Sequence, residues 1–457
     1  MTRRPNTRPE LDLNLAQLLK AETETATIFG KSWPFQIERI LGTTLEENLR
    51  MITDSVRFLR KHRRRVIFDA EHFFDGFKED PDYAITVVST AQEAGASTVV
   101  LCDTRGAAFP TEVYDATSKV LQLLHVPVGI HCHNDRGMAT AATLFAVRAG
   151  ASHVQGTMNG LGERVGNADL VEIVANMHLM GAHTKLKPSK LTSLSRFVCE
   201  MSGIRENQFK PFVGKYAFAH KGGVHGDAVL KSETAYEFYD PPAFGNQRFI
   251  TVSSQAGRSS LLLAAKKLGF NLSRHDTRLA LLLREVKHLE SLGCNLENAE
   301  ATLELLIRRS FARQLHKPLE ILGWEVTALD NGRKASAHSK LRVKIRRRIL
   351  ETQASGNGPV NALDQAIRLA LGSQYKHAFS AKLTGYRVRE VDSEAATAAH
   401  VAVYIDFTDG HKTWTTVASS TNIIQASATA LADGYTYGFY RQKSHLQDTI
   451  RINRTRR

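Results

Sequence analysis

Two histidines stand two residues apart in the run Gly129-Ile130-His131-Cys132-His133-Asn134-Asp135. Residues 128–133 read as a β-strand. Side chains alternate along a strand, so both imidazoles project to one face while Ile130 and Cys132 take the other. A strand end of this kind offers two nitrogen ligands to a divalent cation. The competing reading is two polar side chains at a strand tip, satisfied by their neighbours. The next polar cluster is Asn159-Gly160-Leu161-Gly162-Glu163-Arg164-Val165-Gly166-Asn167. Its glycines allow a tight turn or a close backbone approach to a ligand. Glu163 and Arg164 read either as groups at the mouth of a site or as a structural ion pair.

A third cluster is Phe68-Asp69-Ala70-Glu71-His72-Phe73-Phe74-Asp75. A carboxylate among aromatics has its charged form disfavoured and suits proton transfer. Glu71 is such a group, although a helix-capping acid is the plainer reading, and the pattern does not rank Asp69, Glu71 and Asp75. The fourth cluster is Ala219-His220-Lys221-Gly222-Gly223-Val224-His225-Gly226-Asp227, followed by Tyr236. His225 has the chemistry of a general acid or base and Tyr236 that of a proton donor or orienting group.

These residues need elements to position them. Between about residues 25 and 185 a short β-rich run ending in polar residues alternates with an amphipathic stretch. The runs lie at 26–30, 66–69, 98–102, 128–133 and 153–156. Asp80-Pro81 opens one intervening helix, Gly95 follows its end, and Gly150 closes another. Ala94-Gly95-Ala96-Ser97 recurs as Ala149-Gly150-Ala151-Ser152, each time ahead of a strand. Alternating strands and helices imply a parallel sheet, and a spacing of about 30 residues is that of a (β/α) repeat. No Gly-x-Gly-x-x-Gly follows a strand, which disfavours a dinucleotide-binding fold. Polar residues gather after the strand ends, at Glu71, Asp103, His133 and Asn159, as the catalytic face of a TIM barrel requires. The expected fold is therefore α/β, an incomplete TIM (β/α)8 barrel, since a full barrel has about eight strands and five are readable.

Residues 188–312 read as largely helical. Beyond them, strand-like runs at 323–328, 340–345, 381–388, 401–407 and 414–417 and helices at about 359–371 and 422–437 give an α+β region. It carries a duplication. Thr352-Gln353-Ala354-Ser355 precedes the first helix and Thr416-Val417-Ala418-Ser419 the second, and Ala362 and Ala366 match Ala426 and Ala430 in that register. Two such units suit a pseudo-symmetric module that dimerises or holds an effector.

Composition narrows the function classes. The 457-residue chain has a formal net charge of +14, with basic clusters at 61–65, 344–348 and 451–457. Such clusters attract anionic partners or simply solvate the surface. There is no zinc finger, RNP sequence or recognition helix, so nucleic acid is not an expected partner. No apolar run is long enough for a membrane span. Four scattered cysteines without a C-x-x-C pair argue against a disulfide framework and for a cytoplasmic location.

Together these motifs resemble the isopropylmalate, homocitrate and citramalate synthase family, most nearly its citramalate-forming branch. The resembling phrases are Thr27-Ile28-Phe29-Gly30-Lys31-Ser32-Trp33, residues 69–77, Leu101-Cys102-Asp103-Thr104, residues 131–135, 159–167 and 218–225, and Gly356-Asn357-Gly358-Pro359-Val360. The resemblance implies a barrel domain over 1–187, helical linker subdomains over 188–312 and a regulatory, dimerising domain over 313–457. It implies a homodimer, an isoleucine effector, and the condensation of acetyl-CoA with pyruvate to citramalate and CoA. It assigns a divalent metal (Mg, Mn or Zn) to His131, His133 and Asn167. It makes Glu71, His225 and Tyr236 the acid–base and positioning residues, the last two supplied to a partner's barrel. Asp103, Thr104, Asn159 and Glu163 become substrate-binding residues.

Two departures accompany the resemblance. The family's opening phrase Asp-Thr-Thr-Leu-Arg-Asp-Gly has no counterpart here, which corresponds to some 80 or more residues at the spacing of barrel units. An open remnant exposes strand edges, so low stability and little activity are expected of this chain alone. Arg105 also stands where the family usually has Asn. A larger keto acid, as in isopropylmalate or homocitrate synthesis, and a non-catalytic isoleucine-binding role are the alternative readings.

Overall fold

The computed structural model describes residues 1–182, 185–220, 228, 232–250, 258–273, 275–311, 318–330, 332–345, 347–375, 381–391 and 398–455. The chain forms two compact units, one of residues 1–218 with 239–248, the other of 219–238 with 249–457.

In the first unit, strands β1 (Thr25–Lys31), β2 (Arg65–Glu71), β3 (Thr98–Asp103), β4 (Val128–Cys132) and β5 (His153–Gln155) make one parallel sheet in chain order. Helices α1 (Leu13–Lys20), α2 (Leu45–Lys61), α3 (Phe73–Glu79), α4 (Pro81–Glu93), α5 (Pro110–Leu121) and α6 (Ala139–Ala149) fall before and between the strands, and α7 (Leu170–Leu179) and α8 (Leu191–Ser202) follow. The alternation of β1 and β2 sorts the faces. Ala26, Ile28, Val66, Phe68 and Ala70 are buried in one core with Ile52 and Val56 of α2 and Val87 of α4. The other face carries Phe29, Lys31, Asp69 and Glu71, which are partly or wholly exposed. This layering is the (β/α) pattern of a TIM barrel, built on five strands.

The punctuation works as its residue types dictate. Asp80 caps α4 by accepting from the Tyr83 backbone N–H at 3.0 Å. Gly95 and Gly150 end α4 and α6 with φ of 104° and 120°. The recurrent phrase performs one task twice. Ser97 donates its N–H to Val66 at 2.8 Å and Ser152 to Val128 at 2.9 Å, each tying a helix exit to a strand already in the sheet.

The second unit opens with the short parallel pair β6 (Ala219–His220) and β7 (Phe249–Ile250), followed by helices Arg258–Lys267, Thr277–Ser291 and Glu300–Phe311. Strands β8 (Glu320–Asp330), β9 (Ala335–Ile345) and β10 (Arg348–Gly356) then form an antiparallel sheet with the helix Pro359–Gln374. Strands β11 (Lys382–Glu390), β12 (Val401–Thr408) and β13 (Thr413–Ser420) form a second with the helix Ile423–Thr455. The duplication is structural. Thr352 Oγ1 donates to the Ala366 carbonyl at 2.9 Å, and Thr416 Oγ1 donates to the Ala430 carbonyl at 2.8 Å. The same hydroxyl thus fastens strand to helix in both repeats. β10, on the far side of the basic run 344–348, is not among the strand-like runs read from the sequence. Among the described residues no helix is long and apolar enough to cross a membrane.

Candidate active site at the strand ends

The C-terminal ends of the five strands assemble most of the candidate residues. Lys31 and Glu71 are register partners at the ends of β1 and β2. The Lys31 ammonium lies 2.7 Å from Glu71 Oε2 as an ion pair. Two residues earlier on β2, burial pushes the Asp69 carboxyl up to about 6, against the opposing pull of Gln155 and the Met1 amino group.

Gln155, the last residue of β5, joins this carboxylate to the histidines. Its Nε2 donates to Asp69 Oδ1 at 3.0 Å, and its Oε1 faces His131 Nδ1 at 3.0 Å. The His131 and His133 rings lie on one side of the strand end, centroids 5.3 Å apart, as alternation predicts. Burial lowers the pKa of His131, and burial with the neighbouring charges of His131 and Arg164 lowers that of His133. Both shifts favour neutral imidazole, the form that ligates metals.

Asn167 completes the cluster from the glycine-rich loop. It bridges His133 in an isolated antiparallel pair. Its Nδ2 donates to the Leu161 carbonyl at 3.3 Å, which turns Oδ1 toward the histidines. That oxygen lies near enough to His131 to favour the charged ring, yet makes no hydrogen bond of proper geometry. Asn167 Oδ1 and His133 Nδ1 are buried without a hydrogen-bond partner. Such atoms are costly unless something occupies them. Among the described residues no three His, Cys, Asp or Glu side chains converge, and the third polar atom beside the two imidazoles is the Asn167 amide oxygen. Two imidazoles and an amide oxygen, with both orphaned atoms among them, fit a divalent cation.

The loop's glycines are there for steric reasons. A Cβ on Gly162 would overlap the Asn167 amide, and one on Gly166, at φ 101°, would overlap the Gly160 carbonyl. Larger residues at either position displace Asn167.

The remaining candidates divide. Thr104 sits beside the cluster, its Oγ1 accepting from the His72 N–H at 2.8 Å and its carbonyl accepting from Arg164 at 2.9 Å. Arg164 pairs with Asp135 through bonds of 2.7 and 2.8 Å, while exposed Glu163 stands 3.9 Å from it. The Glu163–Arg164 pair expected from the sequence is thus secondary to Asp135–Arg164. Asp103 is buried and accepts from the Ala107 and Ala108 N–H groups at 3.0 and 3.1 Å, so it holds its own loop. Asn159, at φ 64°, turns to α8, donating to the Ser195 carbonyl at 2.9 Å and accepting from Lys210 at 3.0 Å. It does not join the histidines. Arg105 lies 3.4 Å from Asp75 and 5.5 Å over the Trp33 ring. Both line a cavity of about 490 Å³ with Phe74, Phe77 and Asp103.

His225 lies outside the described residues. Tyr236 is half-exposed in the second unit, its ring 6.4 Å from that of His220, which meets Glu237 at 2.7 Å. Lys31 and Gln155 are not among the candidates read from the sequence, and Asp69 stands there only unranked beside Glu71 and Asp75. Their signal was available for Lys31 and Asp69, which share with Glu71 the open face at a strand end. Gln155 had none beyond being a polar residue in a short β run.

Comparison with known proteins bears on what this geometry serves. The HMGL-like family matches residues 7–198, the homocitrate synthase post-HMGL domain-like family residues 212–293, and the LeuA allosteric (dimerisation) domain residues 297–439. The (R)-citramalate synthase of Aquifex aeolicus (strain VF5) is 43% identical over 442 residues, covering 95% of this chain and 84% of the relative. That of Synechocystis sp. (strain ATCC 27184 / PCC 6803 / Kazusa) is 42% identical, covering 96% and 83%. A 2-isopropylmalate synthase of Methanocaldococcus jannaschii is 31% identical, covering 86% and 74%. Identity at this level over nearly the whole chain places it in the citramalate synthase branch of the isopropylmalate and homocitrate synthase family.

Proposed function

We propose that the chain condenses acetyl-CoA with pyruvate and water to give (R)-citramalate and CoA, an acyl transfer in which the acetyl group becomes an alkyl group. The observation that carries this reading is the paired imidazoles of His131 and His133 beside the unpartnered Asn167 Oδ1, in a chain of this family. A divalent cation of the Mg, Mn or Zn class, held by these three residues, supplies Lewis acidity to the keto acid when bound.

The chain's own groups supply the rest. The acetyl methyl is a weak carbon acid whose proton must go to a base. Glu71 stands at the mouth with its carboxylate held 2.7 Å from Lys31, and we assign it that role. The resulting enolate carbon bonds to the keto carbon, and the alkoxide so formed takes up a proton. His225 and Tyr236 are the assigned donors and orienting groups at that stage. Water then adds to the thioester, and CoA leaves as the thiol. Thr104 and the loop carrying Glu163 line the substrate side, with Asn159 and Asp103 shaping the loops behind it. The dimerisation-domain match supports a homodimer, and the paired repeats of the second unit suit an isoleucine effector. Unpaired cysteines fit a cytoplasmic enzyme.

The test is release of CoA thiol by the purified chain with Mn²⁺, acetyl-CoA and a keto acid. Slow release, as suits a barrel built on five strands, but faster with pyruvate than with 2-oxoisovalerate or 2-oxoglutarate, is expected. Preference for a larger keto acid would replace the substrate, and no release with any would remove the catalytic reading of this chain.

A further inference from the structure

A histidine that ligates a cation through one ring nitrogen must keep its proton on the other. In water the neutral imidazole prefers to carry the proton on Nε2, so a protein that uses Nε2 as a ligand has to impose the opposite tautomer. His131 faces Gln155 at Nδ1, and Gln155 faces Asp69. We infer that Gln155, oriented by Asp69, fixes His131 in the Nδ1–H form and presents its Nε2 lone pair to the cation. The inference rests on reading His131, His133 and Asn167 as a cation site.

The orientation of the Gln155 amide decides the tautomer. An amide carries a donor end and an acceptor end, and a carboxylate only accepts. Asp69 Oδ1 therefore takes the Nε2 end at 3.0 Å, and Oε1 is left to face the imidazole 3.0 Å away. A carbonyl oxygen accepts only, so Nδ1 must carry the proton. The chain of polarity runs one way, from carboxylate through amide to ring, and ends on the lone pair of Nε2. The site enforces it sterically as well. Asp69, Gln155 and His131 are all half-buried, so water competes less for either bond than at the surface. Gln155 acts through His131 and is a positioning residue.

Two readouts on the full chain test this. The first is Mn²⁺ affinity, measured calorimetrically with the metal alone. The second is the tautomer of the His131 ring in the metal-free protein, read from its nitrogen resonances in long-range ¹H–¹⁵N spectra. Wild-type protein should bind Mn²⁺ and show Nδ1–H. Gln155→Met, similar in size but without an acceptor, should weaken Mn²⁺ binding by about 10- to 100-fold and move His131 toward Nε2–H. Gln155→Glu, which still accepts from Nδ1–H, should keep the tautomer. If Gln155→Met does not fold, Asp69→Asn serves instead, since an Asn at 69 can offer the amide either end and should give a mixture of tautomers. Wild-type protein that binds no Mn²⁺ would overturn the cation-site reading and this inference with it. Wild-type binding with either readout unchanged in the folded Gln155→Met or Asp69→Asn protein would overturn the inference alone.

Discussion

Asp69 and Gln155 belong to strands three places apart in the sheet, yet their side chains meet at 3.0 Å. In a flat sheet three strand spacings would separate them by about 14 Å. The contact exists because the sheet curls and its inner side chains converge. It brings the acid of β2, the amide of β5 and the imidazole of β4 into one polar line. That line ties the strand ends into a single site.

Burial raises the Asp69 carboxyl to about 6, from 3.8 for an ordinary aspartate. The folded state therefore binds more protons than the unfolded chain between those values. Stability contributed by this group is present at low pH and falls as pH rises through about 4 to 6. Asp69→Asn removes that cost. In metal-free protein it should gain up to about 3 kcal/mol relative to wild type at pH 7.5, with the gain vanishing near pH 4. Paired thermal melts at the two pH values measure it.

His131→Ala and His133→Ala should each weaken Mn²⁺ binding by more than about 100-fold, since loss of a ligand costs more than loss of its support. CoA release with pyruvate should fall in parallel. Calorimetry on the metal-free variants checks the first effect and a thiol assay the second.

Gly166→Ala places a Cβ against the Gly160 carbonyl at a φ of 101°. The strain should cost about 1–3 kcal/mol and carry Asn167 away from the histidines. A lowered thermal midpoint together with weaker Mn²⁺ binding is expected. Gly42→Ala, also at positive φ but with open space around its Cβ, should lose stability without affecting the metal.

The equivalent hydroxyls of the two repeats should matter unequally. Thr416 is fully buried and Thr352 partly so. Each Thr→Val exchange keeps the shape and removes one bond to a helix carbonyl, at about 1 kcal/mol. Chemical denaturation should place Thr416→Val at or above that value and Thr352→Val below it.

Most of the barrel layering could be read from the chain because its causes are local. Period-two burial, Pro at a helix start and Gly at a helix end act within a few residues, so the five strands and the shared face of His131 and His133 followed from spacing. The duplication was legible too, since Thr352 and Thr416 repeat a local strand-to-helix fastening. The sequence could not say which polar groups would meet across the sheet. Asp69 meets Gln155 across three strand spacings because the sheet curls, a long-range property that no local pattern records. Arg164 chose Asp135 over its neighbour Glu163 because the loop's left-handed turn at Arg164, with φ of 56°, aims the guanidinium across to the next strand end. Asn159 turned to α8 and Asp103 to its own loop because buried polar groups take whichever partners the packed chain offers. Residue type and period set the faces, while tertiary packing chose the partners.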